Sequence, residues 1–272
     1  MGHHNHDFSG DKYALTGVWG PPTSWANESI GNSFCEEDYA VTQYAAEFIN
    51  TLSNIAYVYL ALCYPGRHGH TTGGVFPRLD AMSMSMVLVG VTSTAFHGTM
   101  LLHAQLCDEL SMLVLATAML HRLYTAGRAP FVQRTTAVFL VTITTGLAVA
   151  YVRSGNVMYH VTIFGAQLTC IWPRTLYLIF SSSCKGEGAG AGAERTRAKQ
   201  QHMVRRFFKA ILALAVGYGL WHVDLEYCEP LRSWRRAVGA PWSALLEFHG
   251  WWHVLTALGA IEYIKLVREL CS

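Results

Sequence analysis

Seven long apolar windows constrain this chain more than any other feature of its sequence. A helix needs about 20 mostly apolar residues to cross a bilayer. Turn and helix-breaking residues such as Pro65-Gly66 and Ser154-Gly155-Asn156 separate the windows. The pattern predicts an all-α, polytopic membrane protein with seven transmembrane helices. These are expected over 43–64, 80–101, 104–126, 134–152, 157–181, 206–225 and 249–269.

The composition agrees with this fold class and excludes others. Hydrophobic residues make up 51% of the chain and charged residues 14%. A net charge of +2, with no basic strip carrying interleaved aromatics, argues against a nucleic-acid partner. The seven cysteines are too few for a disulfide scaffold. The first eleven residues are polar and His-rich, without the apolar core of a signal peptide, so insertion is expected to begin at the first internal window.

Lysine and arginine positions predict the orientation and the domain organisation. With a luminal amino terminus, fourteen of these residues lie on the cytoplasmic side and five on the opposite side, as the positive-inside rule requires. We therefore expect a luminal amino-terminal segment over 1–42 and a membrane domain over 43–270. Gly-Ala repeats followed by basic residues predict a flexible cytoplasmic loop over 185–201. Cys35 and Cys228 then share the oxidising compartment, which permits a disulfide between them.

Three histidines and an aspartate fall at one depth in this topology. His249 and His253 are four residues apart, so a helix places both imidazoles on one face at a spacing that suits zinc. His97 lies near the luminal end of the second window, and Asp108 lies near the luminal start of the third. An aspartate inside a spanning helix costs roughly 2.5 to 3.5 kcal/mol, so Asp108 needs a partner or a wet cavity. The sequence predicts a metal site near the luminal face.

The chemistry of this set suits hydrolysis of a carbonyl compound. Three neutral imidazoles leave a fourth zinc position for water, whose pKa the metal lowers to about 7. Asp108 is expected to hold that water or take its proton, while Ser93, one helical turn before His97, is placed to donate to a developing oxyanion. The spacing resembles that of H-E-x-x-H proteases, but Gly250 stands where their catalytic glutamate is expected.

Several ordered motifs give the chain a family resemblance. It resembles the alkaline ceramidases, seven-helix zinc amidases of the endoplasmic reticulum and Golgi grouped with the adiponectin-receptor-like membrane hydrolases. The resemblance covers nearly the whole membrane portion. It rests on Trp19-Gly20-Pro21-Pro22-Thr23-Ser24, Cys35-Glu36-Glu37-Asp38-Tyr39, Ala46-Glu47-Phe48-Ile49-Asn50-Thr51, Ser93-Thr94-Ala95-Phe96-His97, Cys107-Asp108-Glu109-Leu110, the stretch from Asp224 to Cys228, and His249-Gly250-Trp251-Trp252-His253.

The resemblance implies a reaction and a role for each residue. It puts the zinc ligands on His97, His249 and His253, the catalytic serine on Ser93 and the aspartate on Asp108. Water on the zinc, assisted by the aspartate, is expected to attack the ceramide amide, releasing a sphingoid base and a fatty acid. The family's disulfide falls on Cys35 and Cys228.

The resemblance also implies a calcium site between the amino-terminal segment and the helices. Glu36, Asp38 and Glu47 match as the oxygen ligands that a hard cation requires. The family usually has an acidic residue and a tryptophan before the cysteine, where this chain has Ser33 and Phe34. Phe34 still offers its backbone carbonyl, while Ser33 supplies no charge. The alternative is an acidic cluster that pairs with basic residues of the luminal loop, namely Arg232, Arg235 and Arg236.

Two other functions remain open from the sequence. One is a seven-helix receptor or scaffold in which zinc and the acidic cluster only connect helices. The other is a related hydrolase that acts on a different lipid acyl bond. The pairing of Ser93 with Asp108 favours hydrolysis, because a purely structural zinc site is expected to be closed by four protein ligands.

Overall fold

The computed structural model describes residues 34–66, 79–183 and 191–271, which form helices joined by turns and irregular segments. This confirms the all-α fold class. A 3₁₀ helix spans Trp242–Leu246. The α-helices in chain order are α1 (Phe48–Ser53), α2 (Ile55–Cys63), α3 (Ala81–Thr99), α4 (Leu102–Thr125), α5 (Pro130–Ser154), α6 (Val157–Ser183), α7 (Ala191–Glu226), α8 (Cys228–Val238) and α9 (Phe248–Leu270).

The first predicted window is not one continuous helix. Six of the windows each coincide with one helix, but the window over 43–64 contains two short helices, α1 and α2, that meet at Asn54. Ser53 Oγ and Asn54 Nδ2 both donate to the carbonyl of Asn50, at 2.8 and 2.9 Å. Side-chain donors that occupy a backbone acceptor compete with the regular helical ladder, which explains the break.

Two further segments expected to be loops are helical. α7 begins at Ala191, so most of the loop predicted over 185–201 belongs to a helix. Alanine, glutamate, arginine and lysine dominate there and are strong helix formers. α8 occupies most of the region between Tyr227 and Pro241, with Pro230 in its first turn, where proline costs no intrahelical hydrogen bond.

α9 is the helix around which the others pack. It contacts α7 most extensively and also lies against α1 and α2, while α3 packs on α4 and α4 on α6. Gly259 allows the close approach of α7, because a Cβ there would come 3.1 Å from the carbonyl oxygen of Ala210. At the far end of α9, Arg268 donates to both carboxylate oxygens of Asp80 at 2.8 Å. These contacts fix the rotation of α9 and hence the direction of its histidines.

Two described helices are long and apolar enough to cross a membrane. They are α5, with a mean hydropathy of 1.8, and the part of α7 over Arg197–Glu226, with a mean hydropathy of 1.3. Of the α5 window, only 6% is buried inside the protein. An apolar helix that the protein itself does not cover is typical of a lipid-facing position.

Candidate metal centre

The three histidines predicted as ligands converge. His97 lies in the last turn of α3, and His249 and His253 lie in the first two turns of α9. All three side chains are buried, and one nitrogen from each lies within 4.8 Å of the others. Neighbouring elements fix their position, since the backbone amides of Ala46 and Glu47 donate to the last carbonyls of α3 at 3.0 Å. This group can hold a metal ion.

Hydrogen bonds to the imidazole rings orient two of the three ligands. His97 Nδ1 lies 2.6 Å from Glu47 Oε2, and His253 Nδ1 lies 2.7 Å from Ser53 Oγ. Nδ1 of His249 is buried without a hydrogen-bond partner among the described residues. Histidines that ligate metals almost always use their second nitrogen for such an outer contact, which leaves Nε2 of His97 and His253 for the metal. The donor set fits zinc, which favours imidazole nitrogen.

Ser93 and Asp108 are brought together beside the histidines. Ser93 is buried one turn before His97 on α3, and Asp108 lies in the second turn of α4. The serine hydroxyl lies near the aspartate carboxylate and acts on it as a polar neighbour. Asp108 therefore has the polar partner that its apolar surroundings require.

The predicted calcium ligands form a buried acidic cluster. Both carboxylate oxygens of Glu36 accept backbone amides at the start of α1, from Ile49 at 2.7 Å and Asn50 at 2.9 Å. Both oxygens of Asp38 and Oε1 of Glu47 are buried without a hydrogen-bond partner in the described part of the chain. Ser33 lies outside the described residues. Unpaired buried oxygens of this kind are a feature that a hard cation would satisfy.

Burial and mutual repulsion act together on this cluster. Burial, reinforced by the charge of Glu47, raises the pKa of Glu36 to about 8. The same two causes raise the pKa of Asp38 to about 7, against a smaller opposing effect from Arg232. Without a bound cation these carboxyl groups therefore hold protons at a higher pH than usual, and a cation in the cluster would favour their charged forms.

The basic residues of α8 form no ion pairs with that cluster among the described residues. Arg235 pairs with Asp224 at 3.2 Å and with Glu247 at 2.8 Å. Arg236 pairs with the exposed Glu37 at 3.5 Å, and the side chain of Arg232 donates to the carbonyl of Cys35 at 3.0 Å. Within the described residues no ion pair joins these arginines to Glu36, Asp38 or Glu47. The arrangement favours a cation site over the alternative of an arginine-paired cluster.

A disulfide between Cys35 and Cys228 confirms the predicted pairing. The Cα atoms are 5.2 Å apart, across a sequence separation of 193 residues. The carboxylate of Asp224 supports the junction, because it accepts the amide of Cys35 at 3.2 Å and the amides of Phe248 and His249 at the start of α9. The bridge thus fixes the amino-terminal segment to the start of α8, and Asp224 connects this junction to the start of α9, the helix that carries two of the histidines.

Three contacts at this site were missed by the sequence analysis. The roles of Glu47 and Ser53 as partners of the histidines depend on the short α1 helix, which hydropathy does not distinguish from the rest of its window. Phe34 was expected to contribute a carbonyl, but its ring lies against His249 with centroids 4.0 Å apart. That ring also lies 5.1 Å from His97 and covers one side of the centre. No local sequence pattern signals such a cover.

An apolar cavity of about 110 Å³ begins where the site ends. Its wall contains Val89, one turn before Ser93 on α3, and Met112, one turn after Asp108 on α4. It also contains Thr256, just beyond His253 on α9. Each helix that supplies a polar residue to the site therefore continues into the cavity wall. The arrangement suits a molecule with one polar group and one apolar chain.

The described helices thus bring a group of three histidines that can hold a metal ion, and the neighbouring Ser93 and Asp108, to one end of an apolar cavity, which is the arrangement of a helical metalloprotein with an apolar ligand. The chain belongs to the Ceramidase family, whose model matches residues 26–271.

Named relatives agree with this assignment. The chain is 26% identical over 257 residues to alkaline ceramidase 3 of Mus musculus, covering 91% of this chain and 84% of the relative. It is 29% identical over 280 residues to alkaline ceramidase YPC1 of Saccharomyces cerevisiae, covering 94% and 79%. An alkaline ceramidase of Drosophila melanogaster is 24% identical over 247 residues, with 89% and 79% covered.

Proposed function

We propose that this protein is a zinc-dependent amidase that hydrolyses ceramides to a sphingoid base and a free fatty acid. The observation that carries the proposal is the buried group of His97, His249 and His253, with Ser93 one helical turn before His97 and Asp108 beside Ser93. Membership of the Ceramidase family supports ceramide as the substrate.

Each residue at the site has a part in the proposed reaction. A bound zinc ion would polarise the amide carbonyl and lower the pKa of a water molecule. Asp108 is the general base that takes a proton from the attacking water and returns it to the leaving amine. Ser93 donates its hydroxyl to the oxyanion once the carbonyl carbon becomes tetrahedral. Phe34 covers the rings of His249 and His97 and excludes bulk water from that side.

We also propose that the protein is embedded in the membrane of the endoplasmic reticulum or Golgi, with its amino terminus in the lumen. The large exposed apolar side chains along α5, including Phe131, Val138, Phe139 and Val141, support a lipid-facing helix. The charge distribution supports the orientation. The resemblance to alkaline ceramidases carries the choice of organelle.

Calcium is proposed as a second bound ion, with a structural or regulatory role. Asp38, Glu36 and Glu47 would supply carboxylate oxygens, and Phe34 a backbone carbonyl. The support is the set of buried oxygens on Asp38 and Glu47 that have no protein partner in the described residues. Because Glu47 also contacts His97, this ion would help to hold the metal ligand in place.

The proposal is tested with protein purified in detergent. We expect bound zinc, release of sphingoid base and fatty acid in equal amounts from ceramide, and loss of both products with a zinc chelator. His97→Ala should abolish turnover, while His202→Ala, at an exposed position on α7, should retain it. Zinc binding without ceramide turnover would instead indicate a structural metal, and turnover that survives His97→Ala would contradict the mechanism.

A further inference from the structure

The cavity beside the candidate metal centre has a closed end. α4 and α6 run in the same direction away from the site, as two contacts between them show. His160 Nε2 lies 3.0 Å from the backbone carbonyl oxygen of Glu109, and Arg174 Nε donates to the backbone carbonyl of Leu123 at 3.4 Å. The cavity wall along α6 ends at Trp172 and along α9 at Tyr263. The depth of the cavity is therefore set at the level of these last residues.

Tyr263 forms the floor. On α9 it lies ten residues beyond His253, or about 15 Å along the helix axis. Its hydroxyl lies 2.6 Å from the hydroxyl of Thr175, which is fully buried on α6. This hydrogen bond connects α9 to α6 across the end of the cavity.

A close-packed core lies beyond this floor. Leu123 and Ile179 are fully buried in the same cluster, and the ring of Phe207 is 6.1 Å from that of Tyr263. An apolar chain that reaches Tyr263 therefore meets packed side chains rather than open space. Further extension would force those side chains out of their favourable packing.

The hydroxyl groups on the cavity wall indicate which part of a ceramide enters. Tyr57 is hydrogen-bonded to Thr256, and Thr256 also lies within hydrogen-bond distance of the backbone carbonyl of His253. The hydroxyl of Tyr263 is hydrogen-bonded to the hydroxyl of Thr175. A wall whose hydroxyls already have protein partners suits a plain hydrocarbon. It offers little to the hydroxyl-bearing end of a sphingoid base, which would lose its hydrogen bonds on entry.

We propose that this cavity binds the fatty acyl chain of the ceramide, and that Tyr263, held by Thr175, sets the longest acyl chain accepted. The inference rests on the proposed ceramide hydrolysis and identifies a specificity-determining residue for it. The carbonyl carbon would lie at the histidines and the chain would run down α9 past Thr256 and Ala260.

Two substitutions change the cavity in opposite directions. Tyr263→Ala removes the floor, so turnover should shift toward longer acyl chains. Ala260→Leu fills the cavity without removing the floor, so long chains should be disfavoured relative to short ones. Tyr263→Phe keeps the ring and should keep the wild-type chain-length profile. Tyr59→Ala, at an exposed position on α2, is the matched control.

The measurement is kcat/KM for lauroyl, palmitoyl, stearoyl and lignoceroyl ceramides that share one sphingoid base. Tyr263→Ala should raise the lignoceroyl-to-lauroyl ratio by at least about tenfold, since a single methylene in an apolar pocket changes specificity by about 10–200-fold. If it fails to fold, as thermal unfolding would show, Ala260→Leu should still lower the ratio.

A second panel, with the acyl chain fixed and the sphingoid base varied in length, completes the test. We expect no change in its profile in either variant. A shift in the base-length profile instead of the acyl profile, or no shift in any folded variant, would overturn the inference. These results are distinct from failure of the proposed function, in which the wild-type protein releases no sphingoid base from any ceramide.

Discussion

The imidazole Nδ1 of His97 lies 2.6 Å from Oε2 of Glu47, and both side chains are completely buried. The carboxylate also accepts Asn50 Nδ2 at 2.9 Å, so the short α1 helix orients the glutamate that orients the histidine. An outer-shell carboxylate of this kind fixes the tautomer of the imidazole and makes the ligating nitrogen more basic. The structure thus connects the amino-terminal acidic cluster directly to the candidate metal centre.

This contact predicts a loss of zinc affinity in Glu47→Gln. Removal of an outer-shell partner typically costs about 10–100-fold in metal affinity or activity. Zinc affinity measured by competition with a chelator, at saturating calcium, should fall by that factor. Glu262→Gln, which disturbs an ion pair with Lys265 near the other end of α9, should leave it unchanged. Equal zinc affinities in the two variants would show that Glu47 does not support the ligand.

Asp108→Asn should lower kcat while leaving the zinc content intact. An amide cannot accept the proton of the attacking water, and positioned general bases contribute about 10²–10⁴-fold. The readouts are steady-state ceramide turnover and zinc content per mole of protein. A fall in zinc content that accounts for the lost activity would argue that Asp108 acts on the metal site rather than on the proton.

For Ser93→Ala we expect a smaller loss, again mainly in kcat. One donor to an oxyanion is worth about 10²–10³-fold. Ser85→Ala serves as the control, because Ser85 lies on the same helix and donates only to the carbonyl of Ala81 at 2.8 Å. If both variants lose the same activity, Ser93 has a packing role in α3 instead.

Calcium should stabilise the protein through Asp38, whose two carboxylate oxygens are buried without hydrogen-bond partners among the described residues. Calcium at about 100 times its Kd would add about 2.7 kcal/mol to the free energy of unfolding. Asp38→Asn should reduce the calcium-dependent rise in Tm, and Glu37→Gln, at an exposed neighbouring position, should not. An identical calcium response in wild type and Asp38→Asn would remove this residue from the site.

Replacement of Cys35 and Cys228 by serine should destabilise the fold. Loss of a native disulfide typically costs about 2–5 kcal/mol, and the bridge holds residues 193 positions apart. Thermal unfolding of the double variant should show a lower Tm than that of Cys63→Ser, which removes a free, exposed thiol. A Tm equal to that of the control would mean that Arg235, which donates to the carbonyl of Cys35 at 2.9 Å, holds this junction without the bridge.

Residues that sit on long helices were predictable from the sequence. His249 and His253 share a face because of their spacing, and the alternation of helix direction places His97 at the same depth. The partner required by Asp108 was inferred from its cost in apolar surroundings, and the structure supplies Ser93. The hydrophobic periodicity, the charge distribution and the residue spacing are properties of whole helices. They therefore predict how deep a residue lies in the membrane and on which face of its helix it lies.

Contacts that depend on local breaks were not predictable in the same way. The break between α1 and α2 arises from side-chain hydrogen bonds to the carbonyl of Asn50. A hydropathy profile does not detect such bonds, because it averages over a whole window of residues. Helix α8 is amphipathic and carries a proline, so it has the composition of a loop. The ring of Phe34 reaches His249 because tertiary contacts at the neighbouring Cys35, namely the disulfide and the hydrogen bond from Arg235, hold the segment there, and no window of sequence contains these contacts.

Two free cysteines provide a direct test of the predicted orientation. Cys63 ends α2 and Cys107 lies in the second turn of α4, and both are exposed. With the amino terminus in the lumen, Cys63 faces the cytoplasm and Cys107 the lumen, because the two helices end and begin on opposite sides. Single-thiol variants that keep the Cys35–Cys228 bridge are treated with a membrane-impermeant maleimide in sealed microsomes. Cys63 should react without detergent and Cys107 only after detergent is added. The reverse pattern would invert the topology, and equal labelling of both thiols without detergent would show that no membrane separates them.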